Sequence, residues 1–435
     1  MRILPRLSGW IAARRAAAIE RAATRTRART PAKIVAVTGS SAKTTTVALL
    51  AHILEPIGRV RCQVDFNDRR AIVKALTRVG RSVDFLVVEA AAGRKGDLAA
   101  TSAILRPDVA IVTMVALEHK SVYRDVEGVA AEKSQLAAAV RAHGVAILNG
   151  DDPLAAAMAA QTNARVVHFG RREGNDYRAL DARAVFPERL QFTLAWRGGI
   201  LPLRTRFVAE HFWLPAAAAA AAALELGVAP DTVADRLASF EPFLDRCGAA
   251  DIPGGPHFIV DTAKAPWHSV KLAFDVLASA TAPRKRIVLG HISDSSSNDR
   301  TYRNAYRMAR AVADEVIFVG DHAHRSKASQ NDYDTGRFQN FVTAEQVASY
   351  IRATTLPGEV ILLKGSVGQH LERIALAWMH EVRCWVPACG HRKGCIECGR
   401  YGESFDWHKG RRRRHRVRRF LSGLVGKARP RATRG

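Results

Sequence analysis

The chain has 435 residues, of which 48% are hydrophobic and 25% are charged, and its formal net charge is +25. This length allows two or three domains with sizeable cores, and the composition is that of a globular protein rather than a disordered or fibrous one. No apolar run approaches membrane-spanning length, and charged residues interrupt the basic N-terminus too often for a secretory signal, so we expect a cytoplasmic protein.

The positive charge is concentrated at the two ends of the chain. Residues 1–33 carry nine Lys or Arg and one acid (+8), and residues 409–435 carry twelve Lys or Arg and no acid (+12), which together make 20 of the 25 net charges. The N-terminal segment, residues 1–32, is typical either of a basic amphipathic helix on an anionic membrane or of a solvated helix packed against the body. For the basic tail, residues 409–435, we expect binding to an anionic inner-membrane surface rather than to nucleic acid. The alternative is a disordered tail that only keeps the protein in solution.

A phosphate-binding loop is predicted between a strand and a helix in residues 34–50. The β-branched run at residues 34–37 indicates a buried parallel strand, and the apolar-periodic segment from Thr45 indicates a helix. Gly39 permits the turn, Lys43 brings a point charge to the outer phosphates, and the Thr44 hydroxyl is a ligand for Mg²⁺. The predicted nucleotide-binding residues are Gly39, Ser40, Ser41, Ala42, Lys43, Thr44 and Thr45. The alternative is a plain Ser/Thr-rich N-cap after any Rossmann-like strand.

This loop departs from the Walker pattern in two ways. It is two residues shorter, and Ala42 stands where glycine is usual. Alanine costs little there if φ is negative and closes the turn badly if φ is positive. Catalysis therefore does not follow from the loop alone.

Alternating strands and helices follow the loop. Strands are predicted at residues 85–89, 108–113, 145–148 and 166–168, with helical stretches between them. This alternation predicts an α/β fold with a mainly parallel sheet covered on both faces and ligands at the carboxyl ends of the strands. Glu89, Thr113 and Asn149 stand at such ends.

An ordered set of motifs resembles the Mur ligase family, whose ATP-dependent enzymes join an amino acid or peptide to a carboxylate. The residues of these motifs are most similar to those of the D-alanyl-D-alanine-adding and diamino-acid-adding muramyl ligases. The motifs are TGSSAKTTT (38–46), FND (66–68), VVEAAAG (87–93), PDVAIVTMVALEH (107–119), EGVAAEKSQL (127–136), AILNGDDP (146–153), FEPFLDRCG (240–248), IVDTAKAPWHSV (259–270) and ILLKGSVGQHLERI (361–374).

The resemblance implies a phosphate-loop central domain at residues 33–224 and a smaller Rossmann-like C-terminal domain at residues 225–383. It also implies the chemistry: a carboxylate attacks the γ-phosphate of ATP to give an acyl phosphate, and an amino acid or peptide amine then displaces phosphate from it. Peptidoglycan precursor metabolism is the expected pathway. The enzyme needs only to position anions and neutralise charge on the transferring phosphoryl group.

Roles for individual residues come with the resemblance. Thr44 and Glu89 are expected to share one Mg²⁺, and His119 and a carbamylated Lys133 to hold a second, since an unmodified lysine repels a metal ion. Arg246, Asp261 and Lys264 are expected to reach ATP when the C-terminal domain closes. The alternatives are an ordinary exposed ion pair for Lys133, a structural histidine for His119, and surface positions for the last three.

The sequence departs from the family pattern in its substrate-binding parts. About thirty residues precede Ile34, too few for the usual UDP-binding domain, so we expect recognition to differ or to involve a partner protein. A non-UDP acceptor such as a polyglutamate, folate or lipid-linked muropeptide is therefore an alternative. Phe212 and Pro215 replace two family asparagines, which suggests that adenine stacks on Phe212 or Trp213 instead. Together with Ala42, these losses keep open a nucleotide-binding scaffold without ligase activity.

A cysteine-rich segment, residues 384–408, has no counterpart in these ligases. Four thiols within fifteen residues of a cytoplasmic protein suit tetrahedral Zn²⁺ better than disulfides, and unmodified or redox thiols are the alternative. The predicted zinc ligands are Cys384, Cys389, Cys395 and Cys398, with His391 between them.

Overall fold

The computed structural model describes residues 4–64, 68–91, 93–118, 122–293, 299–387, 389–390 and 394–406, with the backbone alone for residues 4–12. The chain divides into two compact units, Met1–Phe243 and Leu244–Gly435. Each contains a largely parallel sheet with helices, which confirms the predicted α/β fold class. Within the described residues, no helix combines the length and apolarity needed to cross a membrane.

A nine-stranded sheet forms the first unit, in the order β2-β3-β1-β4-β5-β6-β7-β8-β9. Its strands are β1 (Lys33–Thr38), β2 (Val60–Gln63), β3 (Phe85–Glu89), β4 (Val109–Val112), β5 (Val145–Asn149), β6 (Arg165–Gly170), β7 (Tyr177–Arg183), β8 (Gln191–Trp196) and β9 (Gly199–Arg204). Its helices are α1 (Leu4–Arg29), α2 (Lys43–Leu54), α3 (Arg69–Leu76), α4 (Asp97–Leu105), α5 (Val126–Ala138), α6 (Pro153–Ala156), α7 (Trp213–Glu225) and α8 (Pro230–Ser239).

The first seven strands of this order are parallel, and β7, β8 and β9 then form an antiparallel meander in which β8 runs opposite to both of its neighbours. Strands β1, β3, β4 and β5 are almost wholly buried apolar runs, as expected for strands covered on both faces. Helix α2 packs against α7, in which alanines 216–223 are fully buried. These small side chains allow the two helix backbones to approach closely.

The C-terminal half of helix α1 packs on the body of the first unit. Ala23 is fully buried, and the Arg27 guanidinium donates to the carbonyls of Leu105 and Arg106 and to the Asp108 carboxylate, 2.9 Å away. Of the two sequence-based interpretations, packing against the body therefore describes this half of the helix. The side chains of residues 1–12, including Trp10, lie outside the described residues.

The boundary between the units lies after Phe243 rather than after residue 224, where the sequence places a domain boundary. Helix α8 accounts for the difference, because it packs against β9, α2 and α7 and so belongs to the first unit.

A six-stranded sheet forms the second unit, in the order β10-β11-β15-β12-β13-β14, and only β10 is antiparallel to its neighbour. Its strands are β10 (Arg246–Asp251), β11 (His257–Asp261), β12 (Lys285–Leu289), β13 (Glu315–Val319), β14 (Phe338–Phe341) and β15 (Val360–Lys364). Its helices are α9 (Trp267–Ser279), α10 (Asp299–Arg310), α11 (Gln330–Asp334), α12 (Ala344–Thr354), α13 (Glu372–Met379) and α14 (Cys395–Cys398).

A buried ion cluster joins β12, β13 and the residue just before β15 to helix α12. The fully buried Arg286 guanidinium on β12 lies 3.0 Å from the Glu315 carboxylate and 3.4 Å from the Glu359 carboxylate. The Tyr350 hydroxyl donates to Glu315 at 2.6 Å, and Arg284 lies 2.6 Å from Glu359. Burial raises the pKa of Glu315, which means that its charged form depends on these partners.

Candidate functional site

The loop between β1 and α2 is held against the end of β4. Gly39 has φ +145°, and a Cβ built on it would lie 1.9 Å from the Thr113 hydroxyl oxygen, so only glycine fits. The Thr113 hydroxyl donates to the Ser41 carbonyl at 2.7 Å, and the Ser40 amide donates to the Met114 carbonyl at 2.8 Å. The loop is thus shaped by the neighbouring strand end as well as by its own residues.

Ala42 occupies the left-handed region at φ 66° and ψ −7°, immediately before helix α2. This is the conformation in which the sequence analysis expects alanine to close the turn badly. A residue with a Cβ pays about 1–2 kcal/mol in that region, so the loop stores strain at the residue preceding Lys43.

We expect Ala42→Gly to raise the free energy of unfolding by about 0.5 kcal/mol, because relief of strain exceeds the added flexibility of the unfolded chain. The matched control is Ala131→Gly at an exposed interior position of helix α5, which should lose about 1 kcal/mol. Urea unfolding of both variants is the measurement. An equal loss in the two variants would show that Ala42 is not strained.

Lys43, Thr44 and Glu89 form the centre of the site. All three are buried, Lys43 Nζ donates to the Gly39 carbonyl at 2.5 Å, and the Thr44 hydroxyl donates to Glu89 Oε2 at 2.7 Å. A hydroxyl from the first turn of α2 and a carboxylate from the end of β3 are oxygen ligands of the kind that Mg²⁺ prefers, so these residues fit that ion. The loop amides and the Lys43 ammonium fit phosphate oxygens.

Lys133 on helix α5 is 2% exposed, and its ammonium lies 2.5 Å from the Glu118 carboxylate. Burial and the nearby Lys43 charge lower the pKa of Lys133 to about 8, although Glu118 opposes the shift. The same Glu118 oxygen lies 3.3 Å from the Ser40 hydroxyl, which connects Lys133 to the loop. Lys133 is therefore a buried side chain rather than an ordinary exposed helix residue, and its lowered pKa makes the neutral amine easier to reach than in a solvated lysine.

The structure brings most of the predicted residues of the first unit together. The loop residues, Glu89 and Lys133 surround one site, whereas His119 lies outside the described residues. Asn149 has a packing role at the strand ends, since its amide donates to the Thr113 carbonyl at 2.8 Å. Sequence reasoning missed Glu118 and the support given by Thr113. The position of Glu118 directly before His119 in the ALEH motif was the available signal.

The predicted residues of the second unit lie at the ends of two adjoining strands. Arg246 on β10 faces Asp261 on β11, and a bulge at Cys247, which has φ 56°, separates this pair from the rest of the ladder. The Asp261 carboxylate lies 2.5 Å from Lys364 Nζ, which also donates to the Lys264 carbonyl at 3.1 Å. Lys364 is thus an ion-pair partner that fixes this corner of the sheet.

Phe212 is not available as an adenine platform. Its ring is 7% exposed and stacks on Phe207 with centroids 4.4 Å apart and an interplanar angle of 6°. The stack belongs to the core below helix α7, which corrects the expectation for Phe212. Trp213, whose ring lies 5.7 Å from the Arg171 guanidinium carbon, is less buried and remains a predicted platform.

The four predicted zinc cysteines do not form one group in the described part of the chain. Cys384 and Cys395 are buried and Cys389 and Cys398 are half-buried, while His391 lies outside the described residues. Only Cys395 belongs to a group of three potential metal-binding side chains, and the other two members, His370 and Glu372, were not predicted. The four-cysteine zinc site stays a prediction.

A cavity of about 440 Å³ lies in the second unit, at the carboxyl ends of β12 and β13. Its lining includes His291, Asp321 and His322, and the two imidazole centroids are 6.3 Å apart. Burial and the neighbouring His322 lower the pKa of His291, which disfavours the charged form of its ring.

Comparisons with known proteins agree with this geometry. Residues 37–223 match the Mur ligase middle domain. The chain is 29% identical over 378 residues to UDP-N-acetylmuramoyl-tripeptide--D-alanyl-D-alanine ligase of Mycobacterium tuberculosis (strain ATCC 25618 / H37Rv), covering 81% of this chain and 74% of that one.

Two solved structures share the fold. Crystal structure II of MurF from Acinetobacter baumannii has a TM-score of 0.74 and 25% identity, covering 83% of this chain and 80% of that one. MurF ligase from Thermotoga maritima in complex with ADP has a TM-score of 0.70 and 20% identity, covering 83% of both chains.

Proposed function

We infer from the match to the Mur ligase middle domain and from the relatives named above that the chain belongs to the Mur ligase family and is an ATP-dependent ligase that forms an amide bond between a carboxylate and an amino acid or peptide amine. The Mycobacterium tuberculosis relative is named as a ligase of UDP-N-acetylmuramoyl-tripeptide and D-alanyl-D-alanine, so the proposed pathway is the synthesis of peptidoglycan precursors. The observation that carries the proposal is the bond between the Thr44 hydroxyl and the buried Glu89 carboxylate beside the phosphate loop.

Residues of the loop are proposed to hold ATP by its phosphates. The loop amides and Lys43 bind the β- and γ-phosphate oxygens. When ATP binds, the Lys43 ammonium gives up its hydrogen bond to the Gly39 carbonyl and donates to these oxygens instead. Thr44 and Glu89 would hold Mg²⁺, which supplies charge neutralisation for the transferring phosphoryl group. An acceptor carboxylate oxygen then attacks the γ-phosphorus while the bond to the ADP oxygen breaks, and the amine afterwards displaces phosphate from the acyl carbon.

Lys133 is proposed to act as a carbamate. A neutral amine adds to CO₂ and releases a proton, and the lowered pKa of Lys133 makes that form accessible. The modification replaces a cation beside Lys43 with an anionic oxygen ligand for a second Mg²⁺. His119 is proposed as a further ligand of that ion.

The amine donor is proposed to bind in the cavity of the second unit. The His291 ring and the Asp321 carboxylate line this cavity, and they offer a ring nitrogen and a negative charge to an ammonium group. Arg246, Asp261 and Lys264 remain proposed contacts of the nucleotide. Contact of the basic ends with an anionic membrane or with a partner protein is also a proposal, and the tail from residue 407 lies outside the described residues.

The proposal is tested by measuring phosphate release from ATP by the purified full chain with Mg²⁺ and bicarbonate. Separate reactions receive UDP-linked muropeptides, non-UDP carboxylates such as folates and polyglutamates, and pools of amino acids and dipeptides. We expect phosphate release that depends on an acceptor and a donor together. The stimulating acceptor pool distinguishes muropeptide from non-UDP substrates. ADP binding without turnover in any pool, beside an active ligase control, would indicate a nucleotide-binding scaffold instead.

A further inference from the structure

Helix α1 carries an arginine-rich exposed side. From residue 13 onward, where its side chains are described, its exposed charged residues are Arg14, Arg15, Arg21, Arg25 and Arg29. The one acid in the sequence of this helix is Glu20, which is half-buried and lies 3.0 Å from Arg69 of helix α3. The charge that this described part of α1 presents to solvent is therefore wholly positive.

Three of these arginines lie on the side of α1 that is opposite to its packed side. Successive residues of an α-helix are about 100° apart, so Arg14, Arg21 and Arg25 lie within about 40° of one another around the helix axis. Ala23 lies on the opposite side, and it is fully buried in a hydrophobic core that also contains residues of α3 and α4. Packing thus occupies one side of the helix, and the outer side, defined by Arg14, Arg21 and Arg25, is left to meet solvent or a ligand.

Neighbouring residues enlarge the positive charge around the outer side of α1. Helix α3 packs against α1 and adds exposed Arg70 and, two residues after its end, exposed Arg78. The Asp108 carboxylate is already paired with Arg27 of α1 at 2.9 Å. A surface on which cations outnumber acids in this way attracts molecules with many negative charges.

The first turns of α1 distinguish between the classes of such molecules. The helix begins at Leu4, and Leu7, Trp10 and Ile11 occupy backbone positions within about 60° of Arg14 around the helix axis. Apolar and aromatic residues combined with arginines are typical of helices that lie in the interface of an anionic bilayer, where basic residues are attracted to the lipid phosphates. Contacts with the phosphates of a nucleic acid would account for the arginines but not for the three apolar positions.

We propose that the outer side of α1 docks the protein on an anionic lipid bilayer. The first turns of the helix enter the membrane interface, and the arginines that follow them bind lipid phosphates, while the inner side of the helix stays packed on the first unit. This assigns a specific surface to the membrane contact proposed above for the basic ends. It does not depend on ligase activity, and its tests contain no ATP.

The first test is co-sedimentation of the purified full chain with vesicles of phosphatidylcholine, either alone or with about a quarter of phosphatidylglycerol. We expect binding to the anionic vesicles only, and at least about tenfold weaker binding when the salt concentration rises from about 0.1 M to about 0.5 M. The double variant Arg21→Glu and Arg25→Glu should bind at least about tenfold more weakly at the lower salt concentration. The matched control is Arg183→Glu with Arg197→Glu, which reverses two exposed arginines at the ends of β7 and β8. Equal losses in the two double variants would overturn the proposal, because net charge alone would then explain the binding.

A second measurement locates the contact in the unaltered protein, so its result does not depend on how the variants fold. Hydrogen exchange is followed by mass spectrometry with neutral and with anionic vesicles. Anionic vesicles should slow exchange in peptides of α1 at least about threefold and leave exchange in peptides of α8 unchanged. Slower exchange in residues 409–435 alone would overturn the proposal for α1 while supporting a membrane contact of the basic tail. Slower exchange of α1 with RNA but not with anionic vesicles would overturn it in favour of nucleic-acid binding.

Discussion

Replacement of Lys133 by alanine is expected to lower acceptor-dependent ATP turnover at least about a hundredfold, because it removes the proposed anionic ligand of the second metal ion. The loss should appear in kcat rather than in ADP affinity, since the phosphate loop with Lys43 and Thr44 is unchanged. Turnover is measured as phosphate release with saturating ATP, Mg²⁺ and bicarbonate.

Partial recovery of Lys133→Ala by acetate or another short carboxylate is the specific sign of the carbamate role. A small anion can enter the space left by the side chain and supply the missing oxygen ligand. The control is Lys74→Ala on the exposed face of helix α3, which should keep full activity with or without acetate. Unreduced turnover of Lys133→Ala would remove the proposed role, and loss without any recovery would favour a structural ion pair with Glu118.

Arg286→Met is expected to destabilise the second unit by about 3–5 kcal/mol, because it leaves Glu315 and Glu359 buried without their shared cation. The unfolding transition in urea should shift to markedly lower concentration. At acidic pH the difference from the unaltered protein should shrink, since the raised pKa of Glu315 lets that carboxyl take up a proton. Urea unfolding at neutral and acidic pH measures both effects.

Arg383→Met provides the matched control, because it removes an arginine whose ion pair with Glu381 is exposed. Exposed pairs contribute little to stability, so no measurable shift is expected. A shift for Arg286→Met no larger than that for Arg383→Met would mean that the buried carboxylates do not depend on Arg286.

The parallel part of the first sheet could be predicted because its strands are continuous buried apolar runs. Strand β3 has the predicted bounds, residues 85–89, and β4, β5 and β6 differ from prediction by one or two residues at their ends. The antiparallel strands β7 to β9 were not predicted. Their residues alternate between buried and exposed positions, and in such short strands this alternation is harder to recognise in the sequence than a continuous apolar run.

The candidate site could be predicted where one short motif contains the geometry. The loop, Lys43 and Thr44 follow directly from the sequence of strand, glycine and helix. The contact of Lys133 with Glu118 could not be derived from helix spacing, because it joins helix α5 to the segment after β4. The group of His370, Glu372 and Cys395 could not be predicted either, because these residues become neighbours only through the packing of the cysteine-rich segment. Backbone angles such as that of Ala42 are likewise visible only in three dimensions.

Strand β9 is an edge strand of the first sheet, and its residues determine whether a strand from another molecule can pair with that edge. Pro202 on this edge strand has no N–H to donate, and Arg204 adds an exposed charge at the strand end. Both features discourage the addition of a foreign strand, and helix α8 packs against the same strand. The nine-stranded sheet should therefore resist edge-to-edge aggregation on this side. Substitutions that remove Pro202 or Arg204 should weaken this protection, even where they stabilise the strand itself.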